Sequence, residues 1–409
     1  MQSSMCIIPE MAETAEDAAS PTLGLSVSLE DASKVLQKHL GLKCTSVTPI
    51  ERGFNNLTTV AIAEDRNEYI IRLSGRFWTR IKTEGEVAAI VLLREKFPSA
   101  LPLPKILGFC SQREFSVIGY EYILMERLKG KPLDEVWASL EISIQHHVLD
   151  QIASIVAKIK SMEYTKIGSF CLNSNYEDLS MVSTPYIDIG EIVGQNAGPF
   201  NDYISYYVKT CEVEIEVLKT CDFMQPMLEY LPRIRKLLQA LTDGTVLSKD
   251  EIKVPFVFHH GDFEFRNILV NDKSGDVTGL LDFEFSGSLP ADNDWFDGFS
   301  DFGANTSQDT VLLAMGRQFD KSSSCEETEK EEKDNHCKYF LSRCKVFHKS
   351  LLTPSELPGH MKRAKLFYLM SNICPWFLRA DIKPVPSDWI HERCKAVQFV
   401  DFVLTDFNF

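Results

Sequence analysis

The sequence predicts an α+β fold in two lobes, a small β-rich amino-terminal one and a larger, mainly helical carboxy-terminal one. Three observations predict it. Residues 43–73 hold three short β-rich runs in succession, separated by turn residues. Beyond residue 129 the apolar residues recur mostly at helical spacing. Between 254 and 284 a second short group of strands carries a cluster of Asp, Asn and Glu in place of ordinary loop residues.

The elements follow in order. Residues 1–27 lack periodicity and are expected to be loosely attached. Ser28 to Leu40 is predicted as the first helix, followed by strands at 43–50, 58–63 and 68–73. Gly53 lies between the first two strands, where a glycine lets the backbone pass close to a ligand and turns successive amides toward an anion; a plain turn is the other reading. Arg72 lies on the third strand, its neighbours Ile71 and Leu73 pointing the other way by alternation. Its forked, permanently charged guanidinium suits phosphate oxygens. In the following helix, GEVAAIVLLREKF, the residues Glu86, Ile90, Leu93 and Phe97 share one stripe. An acid on an apolar face needs a partner, because an unpaired buried charge is costly. Arg72 is the natural candidate, with Lys82 and Glu84 as less well placed alternatives; a solvated acid at the helix start, favoured there by the dipole, is the other reading. Ser116 to Met125 is predicted as a long strand, after which the chain changes to helical character.

In the second lobe Val148, Ile152, Ile155, Val156 and Ile159 form one helical stripe, and Ile234, Leu237, Leu238 and Leu241 form another after Pro232, a good first-turn residue. Tyr203, Tyr206 and Tyr207 read as core, with a cation-binding aromatic face as the alternative. Strands are predicted at 254–258, 268–270 and 277–281, with a turn at 271–275. Asp262 and Asn267 then lie on the loop between the first two of these strands, and Asp282 lies at the end of the third. Magnesium takes oxygen ligands and keeps waters and substrate phosphates in its shell. Asp282 supplies a charged ligand and Asn267 a neutral one, which leaves Asp262 to orient an attacking hydroxyl and accept its proton.

His260-Gly261-Asp262 with Asn267, followed by Asp282-Phe283-Glu284, resembles the aminoglycoside phosphotransferase and choline kinase group, a branch of the protein-kinase-like fold. That group carries H-G-D-x-x-x-x-N and then D-[FW]-[EG], and the match here is residue for residue. The resemblance implies a two-lobed kinase-like fold with the lobe boundary at 128, residues 28–128 forming the first lobe and 129–409 the second, and ATP and Mg bound between the lobes. It implies Asp262 as the catalytic base, Asn267 and Asp282 as metal ligands, and His260 as a support of the loop. It implies a phosphate loop at Gly53 and Asn56, and places Arg72 where protein kinases carry a lysine. It implies that Glu126 to Leu128 present backbone groups to the adenine, and that Asp297 braces the catalytic loop. The resemblance runs over roughly residues 40 to 300 and points to a small-molecule hydroxyl as acceptor. A kinase-like binder without transfer, or a protein Ser/Thr kinase, are the alternatives; the chain has no A-P-E segment after Asp282.

Composition is that of an ordinary globular protein, 44% hydrophobic and 25% charged. The formal net charge of -15 argues against a nucleic-acid binder, which would show a basic footprint. Glu264 and Glu284 flank the motif, and their charge hints at a cationic acceptor. The eleven cysteines form no C-x-x-C pair and read as reduced thiols; Cys337, Cys344 and His348 fit no zinc spacing. The first twenty residues lack a secretory pattern, Gln2 excludes N-myristoylation, and no run reaches the ~18 apolar residues of a membrane span. The expectation is a cytoplasmic protein with no membrane partner. Ser322 to Lys333, polar and mostly charged, is expected to be a loop or a solvated helix end.

Overall fold

Why the chain turns where it does is clearest at its first helix. Ser28 accepts from the Asp31 N–H, and Asp31 answers through the Ser28 N–H. This capping box satisfies two end groups that would otherwise lack partners, and the helix closes on Gly41 in the left-handed region. The computed structural model describes residues 20–172, 187–293, 295–296, 327–349, 351–353, 356–379 and 387–409.

Among the described residues the α-helices longer than one turn are α1 (Leu29–Leu40), α2 (Arg80–Lys96), α3 (Ile142–Lys160), α4 (Tyr203–Thr220), α5 (Leu231–Thr242), α6 (Glu327–Phe347), α7 (His360–Ile373) and α8 (Ser387–Asp406). The strands used below are β1 (Cys44–Ile50), β2 (Asn56–Ala63), β3 (Glu68–Ser74), β4 (Ile106–Cys110), β5 (Tyr122–Glu126) and β6 (Lys131–Pro132). After them come β7 (Glu163–Tyr164), β8 (Gly168–Leu172), β9 (Ile187–Ile189), β10 (Phe256–His259), β11 (Ile268–Val270) and β12 (Val277–Leu280).

The chain divides into two compact units, each discontinuous in sequence. The first comprises residues 1–138, 169–194 and 266–287. Its main sheet is antiparallel, in the order β1-β2-β3-β5-β4. Ile71 and Leu73 of β3, with Tyr122 and Leu124 of β5, pack beneath Ala32, Val35 and Leu36 of α1. Arg72, between them, therefore faces the opposite side of the sheet. A smaller sheet, β12-β11-β6, belongs to the same unit, with Ile268 opposite Leu280.

The second unit comprises residues 139–168, 195–265 and 288–409. Here α3 packs on α6, where Asp150 accepts from Tyr339 and Arg343, and α7 packs on both α4 and α8. Strand β10 pairs with β7. Asp292 and Arg363, both wholly buried, form an ion pair at 2.5 Å, and His360 Nδ1 lies 3.3 Å from the same carboxylate. The bracing acid expected at Asp297 falls outside the described residues.

Two boundaries differ from expectation. The run at 116–125 yields a strand only over Tyr122–Glu126, because Gly119 turns the chain at φ 73°. Helix α2 starts at Arg80, and Gly85 lies inside it. A Cβ on Gly85 would stand 3.0 Å from the Phe170 carbonyl oxygen, so the glycine marks close packing against β8 and not a helix start. In the charged stretch, residues from Glu327 onward are helical, as the start of α6; residues 322–326 lie outside the described residues. Cys337 and Cys344 are buried free thiols, and no group of three or more His, Cys, Asp or Glu side chains placed to hold a metal ion occurs among the described residues. No helix among them is long and apolar enough to cross a membrane.

Candidate active site

In the first unit a buried charge network grows from β3. The Arg72 guanidinium donates to Glu86 on α2 at 2.7 Å, to Asp282 at 2.5 Å and to Glu284 at 2.9 Å. The ion pair anticipated from the α2 stripe is thus present, but Arg72 serves three carboxylates. A second cation, Lys82, lies one helical turn before Glu86. Its ammonium donates to Glu284 at 2.7 Å and to the Asn56 side-chain oxygen at 2.5 Å. Asn56 and Asn55 in turn donate to the two oxygens of Glu284 at 2.5 and 2.9 Å. The loop that follows Gly53 is thereby fastened to the segment that follows β12.

In this cluster two cations face three carboxyl groups. Burial alone would raise Glu284, yet Lys82 and Arg72 outweigh it and hold the carboxyl near 2. For Glu86 burial wins: with Asp282 and Glu284 adding repulsion, the carboxyl is pushed up to about 7 despite Arg72. Desolvation opposes the Arg72 charge, and the three carboxylates more than restore it. Asp282 is the member that meets solvent, its side chain 27% exposed against 2% for Glu284. It sits at φ 68°, a left-handed conformation that Asp tolerates better than most residues.

Asn267 belongs to the same hairpin. Its carbonyl accepts from the Leu281 N–H at 2.9 Å, so its backbone lies opposite the residue preceding Asp282. Asn267 and Asp282 thus stand at one end of the same hairpin.

The remaining expected residues fall as follows. Gly53 adopts φ 103°, open only to glycine without strain. Asn56 is buried, its side chain held at both ends by Lys82 and Glu284. The Glu126 N–H is bonded to the Lys105 carbonyl at 2.9 Å, so this donor is already engaged. Glu126 and Leu128 border a cavity of about 370 Å³ that Phe97 and Leu103 also line. Asp262 belongs to the second unit, on the loop after β10. Its N–H donates to His260 Nδ1 at 3.3 Å, and its carbonyl accepts from Glu264 N–H at 3.1 Å. His260 is buried, edge-on to Phe263, and Gly261 between them sits at φ 89°.

Two expectations need correction. Glu284 is an internal counter-ion and adds no charge at a pocket mouth; of the two acids that hinted at a cationic acceptor, only Glu264 is part-exposed. Lys82, a secondary candidate in the sequence, is the buried cation that holds Glu284. Its signal was its place four residues before Glu86 on the same stripe. Tyr203, Tyr206 and Tyr207 are all buried, Tyr203 stacking on Tyr207, and read as core.

The family described as the phosphotransferase enzyme family (APH) matches residues 46–324, well over half of the chain. The chain belongs to that family. Its fold is similar to a putative aminoglycoside phosphotransferase from Ralstonia eutropha JMP134, with a TM-score of 0.53 at 13% identity, covering 93% of this chain and 98% of that one. A streptomycin–ATP–APH(2")-IIa ternary complex matches with a TM-score of 0.52 at 14% identity, over 92% and 99% of the two chains. At these identities the likeness shows the kinase-like α+β fold. Among sequence relatives, a subtelomeric hrmA-associated cluster protein of Aspergillus fumigatus is 29% identical over 128 residues, which is 31% of this chain. The altered inheritance of mitochondria protein 9 of Komagataella phaffii is 22% identical over 166 residues, 38% of this chain. The matched segments span only 25% and 27% of those two relatives.

Proposed function

We propose that this phosphotransferase-family chain transfers the γ-phosphate of ATP, with magnesium, to the hydroxyl of a small molecule. The observation that carries the reading is the Arg72 network. It gathers Glu86 and Glu284 inside the first unit and leaves Asp282 as its solvent-facing carboxylate, on the same hairpin end as Asn267. Family membership supports it, as does a fold relative described in complex with streptomycin and ATP.

In this reading Asp282 and Asn267 hold magnesium, which when bound neutralises charge on the nucleotide's phosphates. Arg72, anchored by Glu86, keeps the Asp282 carboxylate in a fixed position. Lys82 and Glu284 fasten the Asn55–Asn56 segment and so shape the loop at Gly53, whose φ allows close backbone approach to phosphate. Asp262 accepts the proton of the acceptor hydroxyl, and its loop is steadied by the bond from its N–H to His260. Most of the rate acceleration comes from positioning and from charge already in place.

The test of the base is Asp262→Ala. Turnover is expected to fall by about 10²–10⁴-fold, the usual worth of general base catalysis, while ATP affinity measured by calorimetry stays within a few-fold of wild type. Undiminished turnover would remove Asp262 from that role.

A further inference from the structure

At the carboxy-terminal end of α2 the first unit holds a cavity of about 370 Å³. Its floor is apolar: Leu101 and Leu103 are buried, and Phe97 and Leu128 are half-buried. Its rim carries two opposite charges, Arg94 from α2 and Glu126 from the end of β5, both exposed. Arg94 gives one Nη1 N–H to the Leu103 carbonyl at 2.7 Å, which fixes the guanidinium and leaves further N–H groups to donate. Among the described residues neither Arg94 nor Glu126 belongs to an ion pair, with each other or with a third residue.

We propose that this cavity binds an α-amino acid with an apolar side chain. Opposite charges that line one opening without meeting are complementary to a zwitterion. The ligand's carboxylate takes N–H groups of Arg94, whose planar fork matches it, and its ammonium takes the Glu126 carboxylate. Its side chain lies on Phe97, Leu101, Leu103 and Leu128, where burial of apolar surface adds affinity. The volume lies at the low end of ligand pockets, about 300–1,000 Å³, and suits a compact ligand such as a single amino acid.

The walls of the cavity belong to elements that also hold or adjoin the charge network. Arg94 stands about two turns beyond Glu86 on α2. The Pro102 carbonyl, another part of the wall, accepts from the Leu280 N–H on β12 at 2.8 Å. Leu128 packs on the same strand: a Cβ on Gly279 would stand 3.0 Å from its Cδ1. Strand β12 runs on toward Asp282, so a bound amino acid steadies α2 and β12 together. Binding at this cavity requires neither nucleotide nor phosphate transfer.

The test uses the full chain without nucleotide. Binding of L-phenylalanine is measured by calorimetry beside two truncated analogues: 3-phenylpropionate, which lacks the ammonium, and phenethylamine, which lacks the carboxylate. L-Phenylalanine should bind saturably, and each analogue about tenfold more weakly, as expected for the loss of one charge-assisted hydrogen bond. Glu126→Gln should erase the difference between L-phenylalanine and 3-phenylpropionate, and Arg94→Gln the difference between L-phenylalanine and phenethylamine. With L-phenylalanine bound, hydrogen exchange should slow in peptides covering residues 94–103, 126–128 and 277–281. No saturable binding at millimolar L-phenylalanine, equal binding of the three compounds, or protection confined to other peptides would overturn the proposal. Arg94 also holds the Leu103 carbonyl, so Arg94→Gln can loosen the cavity; the three ligands on the wild-type protein decide even then.

Discussion

Replacing Lys82 by Met removes one ammonium from a site where it is 1% exposed and keeps most of its packing volume. What is left is Glu284, 2% exposed, with Arg72 as its remaining cation. Glu284 sits near 2, against an ordinary carboxyl near 4.3. At about 1.4 kcal/mol per unit, its interactions favour the folded state by roughly 3 kcal/mol at neutral pH. The sign is that of a depressed acid. The stabilisation is complete above the unfolded value and is lost as pH falls from there through 2. Lys82 is the largest favourable contributor, so Lys82→Met should forfeit much of this, in line with about 3–5 kcal/mol for breaking a buried pair. Hydrogen exchange read by mass spectrometry on peptides from β2, β3 and α2 reports the first unit alone. A loss of about 3 kcal/mol corresponds to exchange faster by roughly a hundredfold. Lys82→Met combined with Glu284→Gln should lose less than the sum of the two single variants, because the second change removes the stranded charge. Strict additivity, or less than about threefold faster exchange in Lys82→Met, would refute the coupling of Lys82 to Glu284.

Two further predictions concern the rest of the molecule. His39, pushed down to about 4 by burial and by Lys38, donates to or accepts from the Tyr122 hydroxyl at 2.9 Å and fills the space a side chain on Gly108 would need. Its contribution is full above about 6.5 and declines as pH falls toward 4, by about 1–2 kcal/mol after allowance for its partial exposure; thermal unfolding of His39→Gln should show a shallower decline over that range. Arg363→Met leaves Asp292 buried beside His360 without its guanidinium partner. A loss of about 3–5 kcal/mol is expected, read as faster exchange in α7.

The sequence was most legible where function and local pattern coincide. The alternation of β3 put Arg72 opposite Ile71 and Leu73, and the helical stripe put Glu86 on an inward face, so spacing offered their ion pair beside a solvated acid as an equal reading, and the family resemblance favoured the pair. Hairpin chemistry at 271–275 likewise set Asn267 and Asp282 at one end of two strands. What was hidden depends on contacts distant in sequence. Glu284 lies over two hundred residues from Asn55, Asn56, Arg72 and Lys82, and nothing local distinguishes a counter-ion from a solvated acid. Asp292 and Arg363 are 71 residues apart and share no pattern. Gly85 looked like a helix start because close packing against Phe170 leaves no trace in the helix's own periodicity.

The central claim is phosphate transfer to a small hydroxyl compound, and it is tested most directly with γ-labelled ATP, magnesium and a panel of metabolites bearing alcohol groups. The account predicts label in at least one small molecule, lost on chelation of the metal and lost in Asp262→Ala. Nucleotide binding with no label in any small molecule, or label appearing only in protein, would contradict it.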